Sequence, residues 1–433
     1  MQKQEELHLR GFYENELTNH LLFYWLPRCE DKKYGGFLNC FDNTGRNLMS
    51  TDKYIWSQGR FVWIFASLAT IKGDTFSREQ KEEFKRLARQ GRDFLKKHCL
   101  INENDWRCVY LTDEEGRHKT PEGFPVLDAS IYADCFVVNA FSKVAQMDKD
   151  IDSWHFAKKL YLSIVQRLEN GNYNTLPYPL EHTYRAHGIP MIMTNVEKEL
   201  YETAKILDSD FCETLANSLK TNVLDVLENF TDENNMVREV IKSNNEFAEG
   251  ILGSHINPGH TIENIWFILD AIEIVPELKT AQIIDKLCSI TENALKVGWD
   301  PVYGGIYHYA DYSGGTLKGD AENYKDIPVL HYALENTSGK IWWVHSEALY
   351  TTLRLYFLTG RHIFWEWYQR VEKYVFEKFP NPDREVREWI QTLNRMGQKK
   401  EKAVGLPVKD PYHIMRNVLL IIELLYSLDE TCP

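Results

Sequence analysis

The sharpest chemical signal in the sequence is the segment Asn257-Pro-Gly-His-Thr-Ile-Glu-Asn-Ile-Trp266. Asparagine is a good N-cap and proline is favoured at the first helical position, so a helix is expected to start here. His260 then lies in the first turn, and Glu263 follows three residues later on the same face. The helix's positive end favours a neutral imidazole, while a nearby carboxylate pulls the other way and can fix the tautomer. This pattern suits a general base, although a histidine that only packs against the cap gives the same pattern.

Other candidate side chains lie next to further predicted helices. His413 follows a proline turn and precedes the apolar final helix, so it is expected to face a loop-rich surface or to cap that helix. Arg60 offers a fork of donors for a polyol or a developing oxyanion, unless it only forms a surface ion pair. Trp343 and Glu347 lie one helical turn apart. An aromatic platform beside a carboxylate commonly holds a sugar, but tryptophan pairs are more often plain core.

The sequence predicts no metal and no cofactor. His260-x-x-Glu263 does not match the HExxH zinc motif, and no second histidine falls four residues on, although His255 could reach the same pocket across the Pro-Gly turn. The chain also lacks GxxxxGK[ST], a GxGxxG after a strand, and the GxSxG nucleophile elbow. The sequence therefore gives no sign of a nucleotide-binding loop or of a serine hydrolase site.

Composition narrows the class of protein further. The 433 residues include 50 Lys and Arg against 63 Asp and Glu, and the resulting net charge of −13 argues against a nucleic-acid surface. The N-terminus has no apolar signal-like stretch, and the most apolar run, near the C-terminus, is short and interrupted by Glu423, so no membrane span is predicted. Eight scattered cysteines without a CxxC pair predict reduced thiols in a cytoplasmic protein.

The elements that must position these residues are mostly helices. Ten segments have helical periodicity, the first at 61–69 and the last at 416–428. Short strand-like pieces recur between them, and Tyr34-Gly-Gly-Phe and Tyr303-Gly-Gly-Ile are closely similar. Their starts fall roughly 63 to 71 residues apart, which predicts about six units of a helix pair and a hairpin. We therefore expect an all-α (α/α)6 barrel, a toroid with the hairpins in the loops of one face, although an open solenoid has the same periodicity. No linker is visible, so residues 1–433 are expected to form a single domain.

Seven segments together resemble the N-acylglucosamine 2-epimerase family, which also contains cellobiose 2-epimerases and aldose–ketose isomerases. In chain order they are Tyr34-Gly-Gly-Phe, Lys53-Tyr-Ile-Trp-Ser-Gln-Gly-Arg60, Tyr132-Ala-Asp-Cys-Phe, Ile189-Pro-Met-Ile, Asn257-Pro-Gly-His-Thr-Ile-Glu263, Trp342-Trp343 with Glu347, and Tyr412-His413-Ile-Met-Arg416. The resemblance runs from about residue 10 to about residue 428. The family fold is the (α/α)6 barrel, which agrees with the repeat period.

The resemblance implies roles for individual residues. His260 and His413 would be the two acid/base groups. The residues that line the sugar pocket would be Arg60, Asn195, Glu263, Trp343 and Glu347. The resemblance also leaves open a homodimer, as well as ATP as an effector rather than a cofactor.

One departure from the family pattern bears on the substrate. The cellobiose-epimerase and isomerase branches carry a further histidine after the methionine that corresponds to Met191, where this chain has Ile192. The run that contains Asn195 looks more like the acylglucosamine epimerases. The resemblance therefore favours an N-acetylhexosamine.

The implied reaction interconverts N-acetylglucosamine and N-acetylmannosamine. The C2 hydrogen becomes removable only after the ring opens to a free carbonyl at C1, and deprotonation gives an enediol or enediolate that Arg60 or a neutral histidine could stabilise. Inversion at C2 takes a proton from one face and delivers one to the other, which suits two acid/base groups. The reaction needs no redox cofactor or metal. The expected partner is a small sugar, not nucleic acid or a membrane.

Other functions fit parts of the same pattern. An aldose–ketose isomerase of the mannose type needs one base to move the proton between C2 and C1, and a cellobiose or mannose 2-epimerase would use the same chemistry. A glycoside hydrolase or lyase on the same barrel would need a carboxylate pair. Glu263, Glu347 and Asp134 are available, but nothing in the sequence pairs any two of them. A glycan-binding protein would bind sugar without exchanging the C2 hydrogen.

Overall fold

The computed structural model describes residues 3–319, 327–401 and 408–431. By its internal contacts the chain divides into two compact units. The first unit comprises Met1–Asn174, Pro380–Ile390 and Leu406–Pro433, and the second comprises Thr175–Phe379 and Gln391–Gly405. That residues 1–433 form a single domain stays a prediction.

The first unit is built from helices joined by loops that carry short antiparallel strands. Its helices are α1 (Lys3–Glu16), α2 (Leu22–Trp25), α3 (Ile55–Thr70), α4 (Arg78–His98), α5 (Ile131–Asp148), α6 (Ile151–Glu169) and α15 (Tyr412–Thr431), with a π-helical turn at Leu17–Leu21. Its strands are β1 (Lys53–Tyr54), β2 (Leu100–Asn102), β3 (Asp105–Cys108), β4 (Leu111–Thr112) and β5 (His118–Lys119). They form one sheet in the order β1-β4-β5 and a β2-β3 hairpin.

The second unit repeats this construction. Its helices are α7 (Gly188–Leu207), α8 (Cys212–Asp225), α9 (Gly250–Ser254), α10 (Pro258–Ile274), α11 (Ala281–Gly298), α12 (Pro328–Asn336), α13 (Trp342–Thr359) and α14 (His362–Lys378), with short turns at Ser209–Phe211, Val226–Phe230 and Pro276–Leu278. Its strands are β6 (Tyr184–Ala186), β7 (Val240–Lys242), β8 (His255–Ile256), β9 (Ala310–Asp311), β10 (Lys340–Ile341) and β11 (Thr392–Leu393). They pair antiparallel as β6-β7, β8-β9 and β10-β11.

Two kinds of helix pack together in each unit. In the first unit α3 and α5 are buried around most of their circumference, whereas α4 buries one apolar stripe that includes Phe84, Leu87 and Leu95. In the second unit α7, α10 and α13 are the largely buried helices, and α8, α11 and α14 each bury a single face. A helix that is apolar all round is an inner helix, and a striped helix packs outside it. The predicted helix pairs are therefore present in both units.

The two Tyr-Gly-Gly segments form the same turn. Asp31 Oδ1 accepts hydrogen bonds from the backbone N–H groups of the second and third following residues, at 2.9 and 3.1 Å, and Asp300 Oδ1 does the same at 3.0 and 3.3 Å. The paired glycines that follow all have positive φ, from 72° to 82°, where other residues are strained. A buried lysine bonds the second carboxylate oxygen of each aspartate: Lys53 at 2.6 Å and Lys340 at 3.2 Å. The sequence similarity thus reflects a repeated loop structure.

Each of the ten segments predicted to be helical lies in or overlaps an observed helix. Periodicity does not predict α1, α2, α9, α12 and α14, and it places the start of α7 at residue 196 instead of 188. The first turn of α7 contains Pro190, which costs no hydrogen bond there because the first four N–H groups of any helix lack an internal partner. Among the described residues, no helix is long and apolar enough to cross a membrane.

Candidate active site

The helix start predicted around His260 is present in the second unit. Asn257 is the N-cap of α10, and its side-chain oxygen accepts a hydrogen bond from the His260 backbone N–H at 3.1 Å. Pro258 is the first helical residue. The cap holds the backbone of His260 in the first turn, which fixes where its imidazole begins.

The carboxylate that binds the His260 ring is Glu239. Its Oε1 lies 2.7 Å from His260 Nδ1. Burial alone would lower the pKa of His260, but the charge of Glu239 and this hydrogen bond raise it above the ordinary histidine value. Burial acts to raise the pKa of Glu239, yet the nearby histidines hold that pKa well below the ordinary carboxyl value. Because Nδ1 carries the proton toward Glu239, Nε2 is the ring atom that can exchange a proton with a substrate.

This geometry changes two expectations about His260: its preferred charge state and the carboxylate that binds it. The positive end of the helix favours a neutral His260, but the charge and hydrogen bond of Glu239 outweigh this effect and raise the pKa of the ring. The residue in hydrogen-bond contact is Glu239, while Glu263 adds a weaker charge effect on the same ring. Glu239 was not predicted, since it lies 21 residues before His260, just ahead of β7, where no local pattern marks it.

His187 is a second histidine beside Glu239. It is fully buried directly before α7, and its Nδ1 lies 3.7 Å from Glu239 Oε2. Asn264 Nδ2 donates a hydrogen bond to His187 Nε2 at 2.9 Å. The His187 backbone N–H also donates to the Glu239 carbonyl at 3.0 Å. No sequence motif considered above contains His187.

Trp343 packs beside His260, as expected for one wall of a pocket. The ring centroids are 5.4 Å apart and the planes are tilted by 34°. A Cβ atom on Gly259 would lie 2.4 Å from the Trp343 ring, so only glycine permits this approach. His308 packs edge-on to the other side of the indole, with centroids 6.1 Å apart, and burial lowers the pKa of His308 to about 3.

The other three site residues predicted in the second unit are buried on helices. Glu347 is fully buried and its Oε2 accepts a hydrogen bond from Trp266 Nε1 at 2.8 Å. Glu263 is 5% exposed on α10. Asn195 is 4% exposed on α7, a helix that packs against α10. The structure therefore brings His260 and Trp343 into contact, and it ties Glu347 to α10 through Trp266.

In the first unit, Arg60 is a partly buried cation held among aromatic rings. One guanidinium nitrogen forms an ion pair with Asp410 Oδ2, and the other oxygen of Asp410 accepts a hydrogen bond from the Tyr412 N–H at 2.9 Å. The guanidinium lies 4.1 Å from the ring centre of Phe136, 4.7 Å from that of Trp56 and 5.0 Å from that of Tyr412. Arg60 is thus not the exposed ion pair considered as an alternative; its position is fixed by packing.

His413 lies in the first turn of α15 in the same unit and is 7% exposed. Arg416 Nη2 donates to its Nδ1 at 3.2 Å. A guanidinium can only donate, so Nδ1 accepts and the proton of the neutral His413 ring lies on Nε2. The Tyr412 ring packs edge-on against the same imidazole, with centroids 5.6 Å apart. The ring of Tyr412 therefore contacts both the guanidinium of Arg60 and the imidazole of His413.

Within the second unit, one group of side chains in the described residues has donors spaced for a metal ion. His187, Glu239 and His260 offer atoms that all lie within 4.8 Å of one another. The same atoms form the hydrogen-bonded pair described above, so the donor set also serves without an ion. That the reaction requires no metal or cofactor stays a prediction. The cysteines in the described part of the chain are free thiols.

A family model described as N-acylglucosamine 2-epimerase (GlcNAc 2-epimerase) matches residues 35–417. The N-acylglucosamine 2-epimerase of Bos taurus is 27% identical to this chain over 434 residues, which is 99% of this chain and 94% of that protein. The cellobiose 2-epimerase of Bacteroides fragilis is 21% identical, covering 96% and 98% of the two chains.

Among solved structures, the cellobiose 2-epimerase from Bacillus thermoamylovorans B4167 matches with a TM-score of 0.75 at 18% identity, covering 96% of this chain and 99% of that one. This likeness confirms the predicted all-α (α/α)6 barrel fold. The family match covers most of the chain and agrees with the family predicted from the seven segments. The chain therefore belongs to the N-acylglucosamine 2-epimerase family and is an isomerase, of the class of racemases and epimerases that act on carbohydrates.

Proposed function

We propose that this protein interconverts N-acetylglucosamine and N-acetylmannosamine by proton transfer at C2, without a redox cofactor or metal. The observation that carries the proposal is His260, bound through Nδ1 to Glu239 and flanked by the Trp343 ring. Such a ring presents Nε2 to a sugar held against an aromatic wall. The identity to the bovine acylglucosamine epimerase supports this choice of sugar.

The alternative sugars are not favoured. Identity to the cellobiose 2-epimerase of Bacteroides fragilis is 21%, against 27% to the bovine acylglucosamine epimerase. Ile192, which replaces the histidine of the cellobiose and isomerase branches, is 6% exposed. An apolar side chain here suits the methyl group of an acetamide better than it suits a hydroxyl-rich second sugar. An aldose–ketose isomerase stays the second candidate, and its ketose product would identify it.

His260 and His413 are proposed as the two acid/base groups. After ring opening, one histidine removes the C2 proton and the other returns a proton to the opposite face. Glu239 orients His260 and Arg416 orients His413, each through a contact at Nδ1 of the ring. The other nitrogen, Nε2 in both rings, is the atom assigned to proton transfer. Positioned acid/base groups of this kind each contribute roughly 10²–10⁴-fold to the rate.

The residues proposed to bind the sugar have separate tasks. Arg60, held by Asp410, would stabilise the negative charge that develops on the oxygen at C1. Trp343 would stack against the sugar, and Glu263 would accept hydrogen bonds from its hydroxyl groups. Asn195 would contact the acetamido group. Glu347 would also line the sugar pocket, with one of its oxygens held by Trp266.

Properties outside the site are proposed on the family resemblance and the free thiols alone. We expect a homodimer in the cytoplasm that responds to ATP, if at all, as an effector. Light scattering of the purified protein, and turnover measured with and without ATP, test these two points.

Proton NMR in D₂O tests the function itself. N-acetylglucosamine, N-acetylmannosamine, mannose, glucose and cellobiose are each incubated with the enzyme in separate tubes, with and without ATP. We expect deuterium at C2 and appearance of the epimer only with the two N-acetylated sugars. A ketose from mannose would make the protein an aldose–ketose isomerase. Absence of exchange in every tube would contradict the proposed function.

A further inference from the structure

We propose that His187 is a positioning residue for this reaction, which acts on His260 through Glu239 by competing for the charge of the shared carboxylate. The inference deepens the proposed function and rests on it, because it assigns the control of the proposed base His260. No motif or family residue discussed above includes His187.

Backbone pairing fixes His187 against Glu239. Strands β6 and β7 pair so that Ala186 lies opposite Val240. Because the strands are antiparallel, His187, which follows Ala186, lies opposite Glu239, which precedes Val240. The His187 N–H donates to the Glu239 carbonyl at 3.0 Å. The two side chains therefore start from opposite backbone positions at one end of the same antiparallel strand pair.

The hydrogen bond from Asn264 sets the tautomer of His187. An amide NH₂ group can only donate, and it lies 2.9 Å from His187 Nε2, so that nitrogen accepts and the ring proton lies on Nδ1. His187 Nδ1 is fully buried, has no hydrogen bond to any described residue, and lies 3.7 Å from Glu239 Oε2. A buried N–H dipole thus points its positive end at the second oxygen of the carboxylate.

Glu239 therefore serves two imidazoles, one at each oxygen. Oε1 holds His260 at 2.7 Å and Oε2 faces His187 at 3.7 Å. A dipole that stabilises the carboxylate weakens its attraction for a proton on His260, and in a buried site such effects are poorly screened. The other titratable groups that influence the His260 ring within this unit are Glu263, His255 and His308.

Two substitutions at one position separate the proposed role from simple packing. His187→Asn keeps an N–H donor near the place of Nδ1, because the asparagine amide nitrogen and the imidazole Nδ1 are equally far along the side chain. His187→Gln instead keeps an amide near the place of Nε2, where it can still pair with Asn264, and removes the donor that faces Glu239. The two variants are similar in polarity, and circular dichroism establishes that each is folded.

The readout is the titration of the His260 ring. It is monitored by NMR of ¹³C-labelled histidine, and the signal is assigned with the His260→Ala variant. We expect His187→Gln to raise the pKa of His260 by about 0.5–1 unit, because Glu239 is then shared with no second donor. His187→Asn should leave it close to the wild-type value. The acid limb of kcat/KM should move with the same sign in the glutamine variant.

Equal titration of His260 in the wild type and the glutamine variant would overturn the inference, even if turnover fell. A downward shift would overturn it too. If the glutamine variant does not fold, His187→Leu removes the same donor and is read in the same way. Because the titration requires no substrate, a protein with no epimerase activity would contradict the proposed function while leaving this measurement intact.

Discussion

Arg416 donates a hydrogen bond to Nδ1 of His413 over 3.2 Å. His260, the other proposed acid/base residue, has Nδ1 bound to a carboxylate instead, at 2.7 Å from Glu239. The neutral rings therefore differ in tautomer: His413 presents an N–H at Nε2, and His260 presents a lone pair there. With these tautomers, the neutral rings suit removal of a proton by His260 and delivery of a proton by His413 in the proposed reaction.

Replacing Arg416 by lysine should slow turnover with little effect on KM. The substitution keeps the positive charge but removes the planar guanidinium donor, so the tautomer of His413 is no longer fixed. We expect kcat to fall roughly 10- to 100-fold, which corresponds to the about 1.5–3 kcal/mol of a hydrogen bond to a charged group. Steady-state kinetics with N-acetylmannosamine measure the change.

Arg167→Lys is the matched control for that experiment. Like Arg416, Arg167 is buried in the first unit, but its partner is the carboxylate of Asp134. It should alter stability but not kcat. Equal losses of kcat in the two variants would show that Arg416 acts only by maintaining the fold.

Gly259→Ala should destabilise the protein and reduce its activity. An added Cβ would lie 2.4 Å from the Trp343 ring, so the ring or the first turn of α10 must move. Overpacking of this kind costs about 1–3 kcal/mol, which exceeds the gain of about 1 kcal/mol from replacing a helical glycine with alanine. Urea unfolding and kcat/KM measure the two effects.

Gly11→Ala provides the comparison, since it also lies in a helix, α1, and a Cβ there would have nothing within 4 Å. It should raise the free energy of unfolding by up to about 1 kcal/mol. A Gly259→Ala variant that is as stable and active as this control would contradict the close packing of Trp343 on the start of α10.

The burial of His345 leads us to expect a pH dependence of stability that is separate from catalysis. Its Nδ1 donates to the Ile341 carbonyl at 2.8 Å, its Nε2 accepts from the Ile306 N–H at 2.8 Å, and burial lowers its pKa to about 3. Between pH 6.5 and about pH 3 the unfolded chain binds the proton that the folded protein excludes. The free energy of unfolding should therefore fall as the pH falls, by about 1 kcal/mol from this group between pH 6.5 and pH 5.5.

Urea unfolding at those two pH values, for the wild type and for His345→Gln, isolates this contribution. The variant should lose about 1 kcal/mol less than the wild type over that interval. His362→Gln is the control for replacing a histidine with glutamine, because the His362 side chain is 71% exposed. An unchanged pH dependence in His345→Gln would show that His345 can be protonated in the folded protein.

Local signals in the sequence were sufficient for the start of α10. An N-cap, a first-turn proline and the residues that follow act within one turn, so the position of His260 could be predicted. The repeat period was sufficient for the helix pairs, because each pair buries the same pattern of apolar residues. Both predictions depend on residues close together in the chain or on a regular spacing.

The partners of the site residues depend on tertiary contacts, and these were not predicted. Glu239 and His187 reach His260 from a strand pair that no spacing connects to α10. Asp410 reaches Arg60 across 350 residues of chain. The hydrogen bond of Glu347 to the buried Trp266 was not predicted either, while its place in the sugar pocket stays a prediction.

Exchange of the C2 hydrogen by the two single histidine variants tests the proposed two-base mechanism most directly. Each of His260→Ala and His413→Ala is incubated in D₂O with N-acetylglucosamine and, separately, with N-acetylmannosamine, after circular dichroism has shown that it is folded. We expect neither variant to interconvert the sugars at a measurable fraction of the wild-type rate, and each to incorporate deuterium into only one epimer, a different one for each variant. Interconversion at the wild-type rate by either variant, or exchange of the same epimer by both, would contradict proton transfer by His260 and His413.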